Sequence, residues 1–540
     1  MARGFPSGRS ADYIVVGGGS AGAAAARRIA DAGAEVLLLE AGGRNDSWLV
    51  RVPGMVGPMH GVARLQRSVT WQPRTSPQPD AAGRRVSQMH GLGLGGGGAV
   101  NGMIWSRGHH KNYDDWAAAG CVGWSHADVL PIFKGMEAFE DGANDYRGGS
   151  GPIGVTRARD LAEVTTAFLD ALATTAGVAH NADYNAAEQE GVSVAQWNAA
   201  GGRRQSSAEA YLRDAPPNLH IRTGAQVTRI IIDKGAAVGV EVATEQGMER
   251  LIARQEVIVS AGSFRTAQLL MLSGIGPAAH LAEHGIPTLS DLPVGEGLQD
   301  HLVLPVVYNV TRGPVLGPAK FLTAMAKERI RANSTFLSGS YMEGVAHIRS
   351  EHADAVPDLQ FFVTPLGRKG ADSTIPGVHP DIDGACFTVY AVLLYPESSG
   401  TVRLASRDPH VAPVIDPRYL SASADLDVLM SGVEIIRDAM AHPRASSYVR
   451  AEVAPGRAGT TPEAVRNDAR QRISSVYHPT GTCRMGIDER AVVDPNLKVR
   501  GIERLRVADA SVMPSIPGGN TNAPSMMIGE RAAQLVLEDA

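Results

Sequence analysis

The stretch that decides the fold is DYIVVGGGSAG, residues 12–22, continued by LLLE, residues 37–40. Residues 14–16 are a short β-branched apolar run, as a buried parallel strand requires. Gly17, Gly19 and Gly22 follow with G-x-G-x-x-G spacing, which permits a tight turn, close approach of the backbone to a pyrophosphate, and tight packing of a helix on the strand. The next apolar strand ends at Glu40, whose carboxylate can accept hydrogen bonds from a ribose diol. This pattern predicts a dinucleotide site; the alternative is a glycine turn with a structural role only.

The bulk properties exclude several classes of protein. A chain of 540 residues predicts two domains. A net charge of −5 gives no reason to expect nucleic acid or an anionic membrane as a partner. The three cysteines, Cys121, Cys386 and Cys483, fit neither a disulfide framework nor a metal site. Because no apolar run approaches about 18 residues and the first residues lack a signal-like apolar segment, we expect a cytoplasmic protein without membrane insertion.

A second glycine-rich segment lies at residues 91–98, followed by Asn101, Ile104 and Trp105. Its six glycines cannot form a stable regular element alone, but they let the main chain lie against a flat ligand and present N–H groups to it. A flexible linker is the alternative. The large apolar residues that follow favour an ordered loop.

The remaining pattern predicts an α/β fold (α+β overall) with two parts. We expect a Rossmann-like domain and a second domain built on a mainly antiparallel sheet flanked by helices. The expected division is residues 1–155, 206–300 and 475–540 for the dinucleotide-binding domain, and 156–205 and 301–474 for the substrate-binding domain. Predicted strands cover 256–262, 359–363, 387–394, 400–404 and 505–509, and predicted helices cover 264–273, 424–440, 462–473 and 525–538.

Several separated motifs together resemble the glucose–methanol–choline (GMC) family of FAD-dependent oxidoreductases over almost the whole chain. They occur in the family order: residues 17–22 with Glu40-Ala-Gly, Leu94-Gly-Gly with Asn101, AGSFRTAQLLMLSGIGP (261–277), GEGLQDH (295–301), HPTGTCRMG (478–486), VADAS (507–511) leading to Asn520, and GER (529–531). Within the family the chain is most similar to bacterial choline-dehydrogenase-like, aryl-alcohol or hydroxymethylfurfural oxidase-like, and pyridoxine-oxidase-like members.

The resemblance implies FAD as the cofactor and a set of residues that contact it. Val227 would act through its main chain at the adenine, Asp509 and Ala510 near the pyrophosphate and ribityl chain, and Tyr477 as an aromatic facing flavin or substrate. The full expected set is Gly17, Gly19, Ser20, Ala21, Gly22, Glu40, Ala41, Trp71, Leu94, Gly97, Asn101, Gly102, Met103, Val227, Tyr477, Asp509, Ala510, Asn520 and Thr521. Trp105, Phe361, Phe362 and Tyr395 are candidate pocket walls, each of which fits the core equally well.

Two pairs of residues depart from the usual family pattern. Thr266-Ala267 stand where Ser-Pro is usual, and Gly97-Gly98 stand where serines are usual, which removes hydroxyl groups near the cofactor. Some members attach FAD covalently through a histidine just before the loop asparagine. Val100 occupies that position here, so the resemblance implies non-covalent FAD.

Flavin-dependent alcohol oxidation needs a base for the hydroxyl proton and a donor to the substrate oxygen. A neutral imidazole suits the first role, and the resemblance assigns it to His478, which Pro479 and Gly481 hold in a non-helical turn. Asn520 stands at the family's second active-site position, where it would hydrogen-bond the substrate oxygen. Outside this context His478 would be interpreted as a loop or core histidine, and Asn520 as an amide bonded to its own loop. The amino end of the helix after Asn522 is expected to face the flavin.

The leading hypothesis is oxidation of a primary, aromatic or heteroaromatic alcohol to the aldehyde by hydride transfer to flavin N5, with His478 as base. Reoxidation uses O2, giving H2O2, or another acceptor. Three alternatives stay open: a choline-type dehydrogenase with a non-oxygen acceptor, an FAD-containing hydroxynitrile lyase, and an NAD-dependent dehydrogenase that uses the same fingerprint. The substrate, the lining of the pocket by residues 301–420 and the oligomeric state stay undetermined from sequence.

Overall fold

Two seven-stranded sheets organise the chain. The computed structural model describes residues 10–244, 247–314, 318–331, 337–456 and 461–540. Its helices are Ser20–Asp31, Trp48–Arg51, Val56–Gly61, Ala63–Val69, His110–Ala118, His126–Met136, Glu163–Ala176, Gly262–Leu272, Ala278–Glu283, Pro318–Arg331, Ser423–Ala441, Pro443–Ser446, Pro462–Arg472 and Asn522–Glu538. None of the helices within these described ranges is long and apolar enough to cross a lipid bilayer.

The first sheet has a parallel half and an antiparallel half. Its strand order is Leu219–Thr223, Val36–Glu40, Ser10–Val16, Gly247–Val259, Ala236–Thr244 and Gln226–Asp233, and Leu505–Val507 also pairs with Gly247–Val259. The pairs formed by Ser10–Val16 with its two neighbours are parallel. All five residues of Val36–Glu40 are buried, because helices cover a parallel sheet on both faces. The predicted Rossmann-like half of the fold is therefore confirmed.

The second sheet is antiparallel throughout its described pairings. Its strand order is Val449–Ala454, Leu302–Val310, Cys386–Leu393, Leu359–Thr364, Gly344–Ile348 and Gly191–Val194, with Ser474–Ser475 also paired to Leu302–Val310. Helices Glu163–Ala176, Ser423–Ala441 and Pro462–Arg472 contribute residues to one hydrophobic cluster with these strands. This arrangement confirms the predicted fold class.

Smaller strands complete the chain. They are Thr70–Trp71 with His90–Gly91; Glu137–Phe139, Ile153–Arg157 and Gln196–Trp197; Ala199–Ala200 with Arg203–Arg204; Glu296–Leu298, Gly400–Arg403 and Val414–Asp416; and Arg368–Lys369 with Val378–His379. The predicted long helices agree with the structure to within three residues at each end. The strand predicted at 256–262 is longer, because Gly247–Val259 also forms a hairpin with Ala236–Thr244.

The division into two discontinuous domains remains our proposal. The strands of the first sheet come from residues 10–16, 36–40, 219–259 and 505–507, and those of the second from 191–194, 302–454 and 474–475. This distribution supports boundaries near 206, 301 and 475. Each sheet also carries its own large hydrophobic cluster, as independent domains require.

Candidate active site

A cavity of about 580 Å³ is lined by residues from both sheets. Its volume lies in the range of small-molecule and cofactor pockets, about 300–1,000 Å³. Most of the residues expected to contact FAD line this cavity: Gly17, Gly19, Ser20, Ala21, Glu40, Ala41, Trp71, Gly97, Asn101, Gly102, Met103, Val227, Tyr477, Asp509, Ala510, Asn520 and Thr521. His478 lines the same cavity. The chain thus gathers residues from 17 to 521 around one space.

Gly22 and Leu94, also expected at the cofactor, lie outside this lining set. A Cβ atom on Gly22 would lie 2.0 Å from the carbonyl oxygen of Gly17, so Gly22 allows the helix to pack on the turn before it. The side chain of Leu94 is buried in the main core and lies beside Gly18. Both residues shape the turn that borders the cavity.

Glu40 ends its strand with the carboxylate held by backbone groups. It accepts hydrogen bonds from the N–H groups of Gly18 at 2.9 Å, Gly42 at 2.8 Å and Gly93 at 3.0 Å. A carboxylate offers about four lone-pair positions. One acceptor position is therefore left for a ligand hydroxyl. The two glycine-rich segments, through Gly18 and Gly93, both donate hydrogen bonds to this carboxylate.

Two helices begin at the cavity without a side-chain cap. Helix Ser20–Asp31 starts after Gly19 and helix Asn522–Glu538 after Thr521, and neither start has a side-chain hydrogen bond to its first N–H groups. Ser20, Ala21 and Asn522 line the cavity. Uncapped helix starts attract anions through their N–H groups and the helix dipole. These starts fit a phosphate-bearing cofactor whose ring becomes negatively charged on reduction.

The glycine-rich loop also fits a flat ligand. Gly97 lines the cavity, and a Cβ atom added there would meet no protein atom within 4 Å. Beyond it, Asn101 folds back so that its Oδ1 accepts from the N–H of Met103 at 3.1 Å. Met103 has a φ of 67°, a left-handed conformation that is uncommon for a non-glycine residue. The predicted ordered loop is confirmed, and the linker alternative is wrong.

We expect Gly22→Ala to lower both the free energy of unfolding and the FAD content. The added Cβ would overlap the Gly17 carbonyl, and overpacking of this kind costs about 1–3 kcal/mol. Gly19→Ala is the matched control, because the nearest atom to its Cβ is 3.9 Å away. Gly19 lines the cavity, so this control should lower FAD content while leaving the unfolding free energy of the apoprotein nearly unchanged. Equal unfolding energies for the two variants, measured by denaturant titration, would contradict this account of Gly22.

His478 is held at the cavity by a buried carboxylate. The backbone N–H of His478 donates to Asp300 Oδ1 at 2.9 Å. Asp300 Oδ2 accepts from the hydroxyl groups of Ser475, at 2.6 Å, and Tyr419. Tyr477, directly before His478, has a φ of 64°, and strained conformations of this type cluster at functional sites. Asp300 therefore fixes the backbone that presents the imidazole.

The hydrogen bonds of two histidines determine the tautomer of His478. Nε2 of His301 lies 2.9 Å from the carbonyl oxygen of Leu394, which only accepts, so this nitrogen carries the proton. Neutral His301 then has a bare Nδ1, which lies 2.9 Å from Nδ1 of His478 and must accept from it. Neutral His478 is thus protonated at Nδ1 and bare at Nε2. A bare Nε2 beside the cavity is able to take up a proton.

Both imidazoles are kept neutral by their surroundings. Burial lowers the pKa of His301 to about 3. Burial also lowers the pKa of His478 well below its ordinary value of 6.5, and the neighbouring His301 lowers it further. His478 is therefore in its basic form at neutral pH.

Asn520 lies in contact with His478 at the cavity. Its Nδ2 lies 3.3 Å from Nε2 of His478, and its Oδ1 accepts from Nε2 of Gln360 at 3.4 Å. Gln360 also donates to His347 at 3.0 Å, its partner across neighbouring strands. The amide of Asn520 therefore directs its N–H₂ group toward the bare nitrogen of His478, and a substrate oxygen beside this pair would be within reach of both nitrogens.

The walls around His478 and Asn520 are apolar. Four residues of one hydrophobic cluster line the cavity, namely Met103, Ile104, Val303 and Phe362, and Val476 packs against this cluster and also lines the cavity. Tyr390 and Met342 pack against this cluster and also line the cavity. Of the candidate pocket walls only Phe362 is among the lining residues, whereas Trp105, Phe361 and Tyr395 lie elsewhere.

Sequence reasoning missed the residues that position the imidazole. The motif GEGLQDH contains Asp300 and His301 but does not indicate their contacts with His478, and Gln360, which holds Asn520, lies inside a predicted strand. Two adjacent buried polar residues at the start of an apolar strand were the available signal.

Away from the cavity, the described part of the chain holds a cluster of side chains of the kinds that bind metal ions. Ligand atoms of His280, Glu283 and His284 lie within 4.8 Å of one another. The N–H of Leu404 donates to Nε2 of His280 at 2.9 Å, so neutral His280 carries its proton on Nδ1, which faces Glu283 at 3.3 Å. Because that nitrogen is already a donor, we assign no metal to this cluster.

The sequence and the fold of this chain are similar to those of known proteins. Two family models, both described as GMC oxidoreductase, match residues 11–303 and 396–529. The alcohol dehydrogenase [acceptor] of Pseudomonas putida is 36% identical, over 97% of this chain and 95% of its own. The oxygen-dependent choline dehydrogenase of Photobacterium profundum is also 36% identical, over 97% and 93%. Pyridoxine 4-oxidase from Mesorbium loti is a structural neighbour with a TM-score of 0.86 and 29% identity, covering 97% of this chain and 98% of its own.

Proposed function

Because this chain belongs to the GMC oxidoreductases, uses FAD and acts on alcohols, we propose that it oxidises a neutral primary alcohol, aromatic or heteroaromatic, to the aldehyde. The observation that carries the proposal is the bare Nε2 of His478 at the cavity, 3.3 Å from the amide of Asn520. FAD, when bound, supplies the acceptor for two electrons and the carbon-bound hydrogen of the alcohol. The protein supplies the proton acceptor, the oxygen donor and the orientation.

We propose the lining residues expected from sequence as the FAD site. Ser20 and Ala21 offer uncapped helix N–H groups for the phosphates, and Glu40 keeps an acceptor position for a ribose hydroxyl. Gly97, Asn101, Gly102 and Met103 would lie along the ring. Asp509 contributes through its backbone, since its carboxylate already accepts from the N–H of Gly262 and the hydroxyl of Thr266.

His478 and Asn520 have separate roles at the hydroxyl group of the substrate. Nε2 of His478 takes the hydroxyl proton of the alcohol, and Nδ1–H of His478 stays bonded to His301 as positive charge develops. The N–H₂ group of Asn520 donates to the substrate oxygen, which becomes more negative as its proton leaves. The apolar walls exclude water and strengthen both interactions.

A neutral aromatic substrate suits the apolar walls of the cavity, and the carboxylates there give no support for a quaternary amine. Phe362 and Tyr390 provide aromatic surface near Met103 and Met342. A quaternary ammonium would favour a free carboxylate or an aromatic cage. Among the described residues that line the cavity, the carboxylates are Glu40 and Asp509, and both are engaged by backbone N–H groups. Pyridoxine, in the name of one structural neighbour, is a heteroaromatic compound that carries hydroxymethyl groups.

A substrate screen tests the proposal. Purified protein is mixed without oxygen with benzylic, furanic, pyridoxine-like alcohols and choline, and the loss of visible flavin absorbance is followed. We expect at least one neutral aromatic alcohol to bleach the flavin faster than choline does. Fastest bleaching by choline would favour the choline-type alternative, and product formation without bleaching would favour a lyase. Peroxide measured in air then separates dioxygen from another electron acceptor.

We expect FAD to be bound without a covalent link. Val100 occupies the position before the loop asparagine and offers no nucleophilic atom. Acid precipitation of the yellow protein should therefore release all colour into the supernatant. Colour retained in the washed pellet would contradict this expectation.

The pH dependence of kcat/KM should have its acid limb below pH 6.5. Protonation of Nε2 would remove the base, and the pKa of His478 lies well below 6.5 because the imidazole is buried beside His301. The imidazole is then neutral at every pH above its lowered pKa, so kcat/KM should stay flat around neutrality and fall only in more acidic solution. An acid limb centred at or above 6.5 would contradict the assignment.

A further inference from the structure

Arg204 is a buried cation that no described carboxylate pairs with. It is 1% exposed, and its guanidinium donates only to oxygens of uncharged groups. Nη1 donates to Asn101 Oδ1 at 2.7 Å, Asn101 O at 2.8 Å and Gly98 O at 3.2 Å, and Nε donates to Val50 O at 3.1 Å. Nη2 has no partner. Glu209, which lines a second, smaller pocket together with Arg204, is paired with Arg51 and Arg213.

Other buried arginines of the described chain have acidic partners. Arg107 and Arg147 share Glu137, Arg472 pairs with Asp468, and Arg506 pairs with Glu256 and Asp539. Burying a charge is costly unless a counter-charge compensates it. Burial lowers the pKa of Arg204 to about 9, which still leaves it positive at neutral pH. Among the described residues no carboxylate compensates Arg204, so a bound group that carries negative charge is a candidate to do so.

The charge lies directly behind the wall of the cavity. Arg204 bonds Gly98 and Asn101 of the glycine-rich loop, and Asn101 lines the cavity. The next residues of that loop lead to the apolar cluster around Met103 and Phe362. The charge of Arg204 is thus close to the part of the cavity where we propose that the flavin ring and the substrate lie.

Alcohol oxidation creates negative charge in this part of the cavity. The alcohol loses its hydroxyl proton to a base and its carbon-bound hydrogen with two electrons to the flavin ring, so the aldehyde forms and the ring gains one negative charge. We propose that Arg204 is a positioning residue whose uncompensated charge stabilises the negatively charged, reduced ring and raises its reduction potential. This proposal rests on FAD binding alone and is independent of the substrate and of the role of His478.

Two readouts on the FAD-loaded enzyme test the charge directly. Sulfite adds to the oxidised ring to give a negatively charged adduct, so its affinity reports nearby positive charge, and dye equilibration gives the midpoint potential. We expect Arg204→Gln to weaken sulfite binding about tenfold and to lower the two-electron potential by about 30 mV, the equivalent of a tenfold change. Arg203→Gln is the matched control: it removes the same charge from the adjacent, exposed residue and should change neither quantity. Arg204→Gln with FAD bound and both quantities unchanged would overturn the proposal.

Arg204→Lys keeps the test decisive if Arg204→Gln fails to retain FAD. A lysine at this buried position should carry its charge at low pH and lose it as pH rises, because burial lowers its pKa. The potential of Arg204→Lys should therefore match that of the unaltered protein at about pH 6 and fall below it toward about pH 8, where Arg204, with a pKa of about 9, still carries its charge. A difference from the unaltered protein that stays constant over this range would overturn the proposal.

Discussion

Replacing His478 with alanine is expected to lower the rate of alcohol oxidation by about 10²–10⁴-fold, the usual contribution of a positioned general base. Nε2 of His478 is the bare imidazole nitrogen at the cavity, 3.3 Å from the amide of Asn520. The loss should therefore be in turnover, measured with saturating substrate. FAD content, measured from the visible spectrum, should remain close to that of the unaltered protein, since most of the proposed FAD contacts lie elsewhere.

The matched control is His352→Ala, which removes an exposed histidine. This variant should turn over at the rate of the unaltered protein. Imidazole added to His478→Ala should restore part of the rate, because the truncated side chain leaves space for a small base. A His478→Ala protein that binds FAD and keeps full turnover would show that another group removes the proton.

His301→Leu is expected to lower turnover by about 10²-fold, the cost of misplacing a reacting group by about 1 Å. Leucine removes the nitrogen that accepts from Nδ1–H of His478. The imidazole of His478 then has no partner that keeps the proton on Nδ1, so its tautomer and ring orientation are no longer fixed. The effect should appear mainly in kcat rather than KM, since His301 is absent from the cavity lining.

His301→Asn is the conservative counterpart. Its side-chain oxygen can stand near the position of Nδ1 and accept from His478, so this variant should keep several-fold more activity than His301→Leu. The pH profile adds a readout that packing alone would not move: relative to the unaltered protein, the acid limb should shift toward higher pH in both variants, because the neighbour that lowers the pKa of His478 is gone. Equal turnover for the two variants, or an acid limb that stays where it is in the unaltered protein, would contradict the assigned role of His301.

The parts of the site near the amino terminus were predictable because their chemistry is local in sequence. Gly17, Gly19 and Glu40 lie within one strand–helix–strand unit, where spacing alone determines geometry. The sheet order beyond that unit follows from pairings between distant segments, such as Ser10–Val16 with Gly247–Val259. Local patterns hold no information on those pairings.

The contacts that prepare the base were not predictable from the sequence. His301 and His478 are 177 residues apart, and their bond exists because Leu302–Val310 and Ser474–Ser475 pair in the second sheet. Arg203 and Arg204 show the same limit at shorter range. They are adjacent and of the same type, yet one is exposed and the other is buried behind the glycine-rich loop.

The central claim is that alcohol oxidation in this cavity passes electrons to bound FAD. Its most direct test is a single-turnover measurement without oxygen, in which the aldehyde formed from a neutral aromatic alcohol is counted against the flavin bleached. The account predicts one aldehyde for each FAD reduced. A colourless purified protein, or product that forms while the flavin stays oxidised, would contradict it.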